Sequence, residues 1–217
     1  MKKILFILLV CMSVMSSSYG QTGSNEADPF LVKMFDYARA HNVKALEGLR
    51  NEVKLKKNRT VTNAYSLALY IAAPEKYKQQ YVNNFPVDYQ GIMLDFYEQI
   101  ELKKLTPTFF YSIDSLGLIA AEGNDKAIEK VLIGSIHSDG IVGEEFCDIL
   151  EKIFDKQLHK TVKAFSRIDD GQRQKAYSCF EMMEAKDFGA LKSKLEKLKA
   201  KATKPEKKII REIENYQ

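Results

Sequence analysis

The sequence has no tryptophan, only five prolines and only three cysteines in 217 residues. So few cysteines cannot make a disulfide framework, and the fold must rest on an apolar core. There is no glycine-rich phosphate loop, no calcium loop and no Cys-x-x-Cys pair, so no motif points to nucleotide, calcium or zinc chemistry. No apolar run reaches the roughly 20 residues that a membrane-crossing helix needs. Net charge is also slight: 33 Lys and Arg against 29 Asp and Glu leave +4, too little to argue for nucleic acid.

What the chain does have, first, is an export pattern of bacterial type. Lys2 and Lys3 precede an apolar run from Ile4 to about Met15 and a small-residue ending, Ser16 to Gly20. Ser18 and Gly20 stand third and first before the cut that signal peptidase would make, so cleavage is expected between Gly20 and Gln21. As a helix the apolar run would span about 18 Å, short of the roughly 30 Å hydrocarbon core, which argues against a retained anchor. Cys11 follows Leu8-Leu9-Val10, where lipoprotein processing would want a small residue. The expectation is a periplasmic or secreted protein: residues 1–20 a signal peptide, 21–27 a disordered polar lead-in, and 28–217 a single all-helical domain with no transmembrane segment.

Beyond residue 28 the apolar residues recur at spacings of three and four, the mark of helices with one buried side. Leu31, Met34, Phe35 and Ala38 make one stripe, Val43, Leu46, Leu49 and Val53 a second, and Val61, Ala64, Leu67, Ala68 and Ile71 a third, stopped by Pro74. A helix from Pro74 to about Val82 ends before Phe85-Pro86, and Ile92, Phe96, Ile100 and Leu102 carry the next to Leu105. Thr106-Pro107 then supplies a cap and a first-turn proline. Further stripes are Phe109 to Ala120, Ala127 to Ile136, Val142 to Ile153, Leu158 to Phe165, Ala176 to Met183, Phe188 to Leu198 and Ile209 to Ile213. No stretch alternates as a strand would, so the fold class expected is all-α, built of stacked antiparallel helical hairpins.

Three junctions share a pattern: Asn42 with Ala45, Asn124 with Ala127, and Asp187 with Ala190, each a capping residue followed by a small alanine and an aliphatic. The first two are twice 41 residues apart, a period suited to helical pairs, while the third breaks the period. On these residues, and most clearly over Ser112 to Ile133, the chain resembles the HEAT-like and armadillo-like alpha-solenoids. The resemblance implies a stack of helical pairs with an extended binding surface. An irregular multi-helix bundle would use the same caps and is the alternative.

Chemistry-bearing residues are scattered. His41, His137 and His159 have no His or Cys neighbour at a ligand spacing, so no metal site is expected. Ser135, His137 and Asp139 crowd one short stretch without a nucleophile elbow, which reads as a helix end and a capped turn. Glu144 and Glu145 are adjacent, point about 100° apart on a helix, and read as first-turn residues complementing the dipole. Asn58-Arg59-Thr60 is formally a glycosylation acceptor. Tyr65, Tyr70, Tyr77, Tyr81, Tyr89 and Tyr97 are both core candidates and a candidate partner surface.

Cys147 and Cys179 are expected on neighbouring helices, either joined as a disulfide or present as small buried residues. From Lys186 to Gln217, ten Lys and Arg stand against five Asp and Glu. That end is expected to form a helical hairpin with its lysines in water, the functional alternative being attachment to anionic lipid or wall polymer. The functional expectation is an exported, non-enzymatic protein-binding or scaffold module without a cofactor, whose partner is another protein. One version is an immunity-type inhibitor of a toxin. The competing class is an enzyme acting on envelope polymers in a cleft between helices.

Overall fold

The computed structural model describes residues 27–87, 100, 104–105, 111–138 and 140–216. The signal segment with its Gly20–Gln21 cleavage point, Tyr89, Tyr97 and the Thr106-Pro107 cap lie outside the described residues. Among the described residues all regular structure is helical, with no strand, and no helix is long and apolar enough to cross a membrane.

Short polar caps set the helix starts. In α1 (Pro29–Arg39) Asp28 accepts from the Phe30 amide at 2.8 Å, and Pro29 gives up no useful donor in the first turn. Asn42 accepts from the Ala45 amide at 3.1 Å to start α2 (Val43–Gly48), and α3 (Arg50–Lys56) follows at once. The stripe expected to be one helix from Val43 to Val53 is therefore two, divided at Leu49 beside the helix-weakening Gly48. Asn58 caps α4 (Arg59–Ala72) through the Val61 amide at 3.1 Å. Every residue of α4 from Ala64 to Ala72 is buried, so this helix is the centre of the N-terminal core, with α1 and α5 (Pro74–Asn84) against it.

Asn124 repeats the Asn42 arrangement, accepting from the Ala127 amide at 3.0 Å between α6 (Tyr111–Ala121) and α7 (Asp125–His137). Gly123 makes that turn at φ +92°, a conformation that other residues adopt only under strain. The third look-alike junction does not hold: α10 (Ala185–Lys199) is preceded by Glu184, and Asp187 lies inside its first turn. There the acidic side chain complements the helix dipole rather than capping an amide.

The second half is organised on α8 (Gly140–Phe165), which packs on α6, α7, α10 and α11 (Lys204–Glu214). The stripes Val142–Ile153 and Leu158–Phe165 are two limbs of this one element, parted by non-helical angles at Gln157, whose amide donates to the Ala121 carbonyl at 2.9 Å. Because α8 starts at Gly140, Glu144 and Glu145 fall beyond its first turn, contrary to the dipole reading. A side chain at Gly134 would come within 2.4 Å of the Phe146 ring, so glycine there sets how closely α7 approaches α8. The Ala176–Met183 stripe is divided between α9 (Asp170–Tyr177) and a 3-10 turn, Ser178–Glu181.

Candidate functional site

The tyrosines are the first group to test. Tyr65, Tyr70, Tyr77 and Tyr81 are all buried, none more than 9% exposed, so they form core and not a partner surface. The reason is geometric: α4 is enclosed on all sides from Ala64 to Ala72, and α5 turns Tyr77 and Tyr81 inward onto it. Tyr70 and Tyr81 stack with ring centres 4.7 Å apart, and the Tyr81 hydroxyl donates to the Ser112 carbonyl. Tyr77 donates to Glu47, which also receives Lys76 at 2.8 Å. Those two hydrogen bonds, Lys76 first, hold the Glu47 carboxyl below its ordinary value. The Tyr65 hydroxyl is raised above its ordinary value, chiefly by burial.

Cys147 of α8 and Cys179 of the 3-10 turn are joined by a disulfide, with alpha carbons 5.0 Å apart. Beside it Phe154, Phe165, Tyr177, Phe180, Phe188 and Tyr216 form a continuous aromatic cluster with ring separations of 5.5 Å and upward. A buried charge that sequence reasoning passed over, Arg173, shares Glu212 with Tyr177 of this cluster. Arg173 is 5% exposed and meets Glu212 at 3.1 Å, Asp170 and the Ile168 carbonyl, while Tyr177 donates to Glu212 at 2.7 Å. Burial, then the Glu212 hydrogen bond, raises the Tyr177 hydroxyl far above its ordinary range. Nothing in the spacing around Arg173 marks it as a buried ion.

Glu206 was legible, since Thr203-x-x-Glu206 is a capping box. The Thr203 amide donates to its carboxylate at 2.7 Å, the Thr203 hydroxyl at 2.8 Å, and His159 Nε2 lies 3.1 Å away. Burial works to raise this carboxyl, but the Thr203 and His159 interactions outweigh it and hold the group below its ordinary value.

The remaining histidines and carboxylates do not converge on a reaction centre among the described residues. His41 meets the Ala72 carbonyl at 3.2 Å, and Ser135 donates to the Leu132 carbonyl of its own helix at 2.8 Å, while Asp139 is outside the described residues. Glu145 is raised by burial and by Asp114, with which it shares a hydrogen bond. Carboxyls in such contact are too close to flank a glycosidic bond, which needs about 5 Å or more between them. No group of three His, Cys, Asp or Glu suited to a metal ion occurs among the described residues. A small cleft of about 160 Å³ between α8 and α10 is lined by Phe154 and Leu191 together with Glu151 and Asp187. There burial, followed by repulsion from Asp187, Asp148 and Glu184, raises Glu151.

The clearest outward-facing arrangement is on α11. Ile209, Ile210 and Ile213 are buried, with Glu206 beside them, so the opposite side of the helix faces water. That side carries Lys204, Lys207, Lys208 and Arg211 at positions i, i+3, i+4 and i+7, one continuous stripe along the helix. With Glu212 and Asn215 these cations line an open groove of about 760 Å³. Lys208 is neutralised by Asp170 at 3.2 Å and Glu212 at 3.6 Å, whereas Lys204, Lys207 and Arg211 have no ion-pair partner among the described residues.

Comparison of the chain with protein-family models, with curated proteins and with solved structures finds no match in any of the three.

Proposed function

We propose that this chain is an exported, non-enzymatic protein-binding module that docks an acidic partner surface on the α11 stripe. The observation that carries the reading is the row Lys204, Lys207 and Arg211, held outward by the isoleucine face of α11 and left without counter-ions. Such a row attracts a partner of opposite charge over a distance of about a Debye length and fixes its orientation on arrival. The Cys147–Cys179 disulfide supports an oxidising location, periplasmic or secreted, because such bonds are rare where thiols are kept reduced. The matching Asn42 and Asn124 caps support a HEAT-like stack of helical pairs as the scaffold. An immunity-type inhibitor, which occludes a toxin through one charged face, is the specific version that fits.

The test is capture of partners from the native envelope by the exported chain, with and without the triple change Lys204→Glu, Lys207→Glu and Arg211→Glu. A partner bound by the wild type is expected to lose about tenfold or more in affinity to the variant and to dissociate at high salt. A partner that binds both alike removes the stripe from the interface. Turnover of envelope polymer by the purified chain would replace the reading with an enzymatic one.

A further inference from the structure

A second, unrelated cleft lies between the start of α4, the end of α5 and the middle of α7, with a volume of about 300 Å³. Its polar walls come from Arg59 and Asn63 of α4, Asn83 of α5 and Lys130 of α7, and the segment Phe85–Val87 supplies an apolar side. The unusual member is Lys130. The residue is half-buried, its ammonium donates to the Phe85 carbonyl at 2.6 Å, and it has no ion-pair partner among the described residues. Burial, followed by repulsion from Lys126, lowers its pKa from the ordinary lysine value. A cation held partly out of water beside another cation is a cost that an anion in the cleft would offset.

The other donors are placed in the same sense. Arg59 is exposed at the mouth and makes no side-chain hydrogen bond or ion pair among the described residues. Asn63 makes none either, while Asn83 accepts from Gln79 at 2.9 Å through its oxygen, which leaves its NH2 group as the end able to donate. Asn84 spends one N–H of its amide on Ser66 at 2.6 Å, which braces it against the wall. The cleft therefore sets two cations and two amides around a space with an apolar side. A lysine needed only to hold the Phe85 carbonyl would require neither the arginine nor the amides.

We infer that this cleft binds a small organic anion, its oxyanion group held between Lys130 and Arg59 with Asn63 and Asn83 donating, and its short apolar stem against Pro86 and Val87. Carboxylate and phosphate share this chemistry, and an apolar stem is what tells an organic ligand from a free ion. This site is independent of the α11 stripe, so either can fail without the other.

The experiment is titration of the full exported chain, followed by NMR shifts of the Asn side-chain amides, with acetate, butyrate, inorganic phosphate and a short alkyl phosphate. Saturable shifts are expected, with affinity rising about threefold to fourfold for each buried methylene of the stem. Lys130→Met, which keeps the aliphatic stem, and Arg59→Gln are each expected to weaken binding about tenfold or more. Arg59 is exposed, so Arg59→Gln tests the site even where Lys130→Met disturbs folding. Preference for the alkyl phosphate over butyrate would assign the head group as phosphate and support the site. Equal affinity for acetate and butyrate together with inorganic phosphate, or unchanged affinity in Arg59→Gln, would overturn it, as would an absence of saturable shifts at millimolar ligand.

Discussion

In the N-terminal helices Tyr70 stacks on Tyr81, and the Tyr81 and Tyr77 hydroxyls reach the Ser112 carbonyl and the Glu47 carboxylate, so these two rings fill space and end in a polar tie. In the C-terminal helices the centre of the cluster is Phe154, Phe165 and Phe180, which have no polar end; ties come from Tyr177 and Tyr216 at its edge, and order also from the disulfide, the Arg173–Glu212 pair and the Glu206 capping box. The contrast shows two ways of giving a helical core one arrangement. Hydroxyl-tipped rings specify their positions individually, whereas featureless rings need a covalent or ionic clamp beside them.

The largest test of this contrast is Phe165→Ala. Phe165 is fully buried and touches Phe154, Tyr177 and Phe180, so its loss is expected to lower stability by about 3–5 kcal/mol in chemical denaturation. A loss below 1 kcal/mol would mean that the clamps, and not the rings, hold the second half. Next comes the joint change Cys147→Ala and Cys179→Ala. A bridge across 32 residues is expected to contribute about 3–4 kcal/mol through the unfolded chain, and reduction of the wild type is expected to reproduce the loss. Unchanged denaturation after reduction would erase the covalent side of the comparison.

The smallest effect separates the halves by acid. Glu206 has a lowered folded-state pKa against a reference of 4.5, so its contribution is complete above that value and is lost as pH falls from there through the lowered folded value. Glu206→Gln is expected to cost about 1 kcal/mol near pH 7 and progressively less below pH about 4, when measured by denaturation across pH. Glu47 shifts in the same direction but is far more exposed, so Glu47→Gln is expected to change the acid limb less than Glu206→Gln does. Equal acid responses in the two variants would remove this distinction.

Much of the fold was legible because helices announce themselves locally. The stripes on described residues, Pro74 and the caps at Asn42 and Asn124 depend on spacing within a turn or two, and the structure realises them. The same local logic went astray at Asp187, since a residue three places before an alanine can lie inside the first turn as well as ahead of it. It left the tyrosines open between core and partner surface, because α4 is enclosed from Ala64 to Ala72 and no single-helix pattern reveals what covers its second face. Arg173 and Lys130 were passed over for a related reason. Their significance depends on partners 39 and 45 residues away, and a lone basic residue in a mixed-charge helix reads as solvated.

The bridge between Cys147 and Cys179 encloses the connection Ser166–Asp169, which joins α8 to α9 at the surface. A protease that nicks the chain there produces two fragments that stay one molecule, since the crosslink spans the cut. Detachment of the C-terminal fragment then needs two independent events, hydrolysis of the peptide bond and reduction of the disulfide. The clamp that orders the aromatic rings thus also makes the protein tolerant of damage at its own surface.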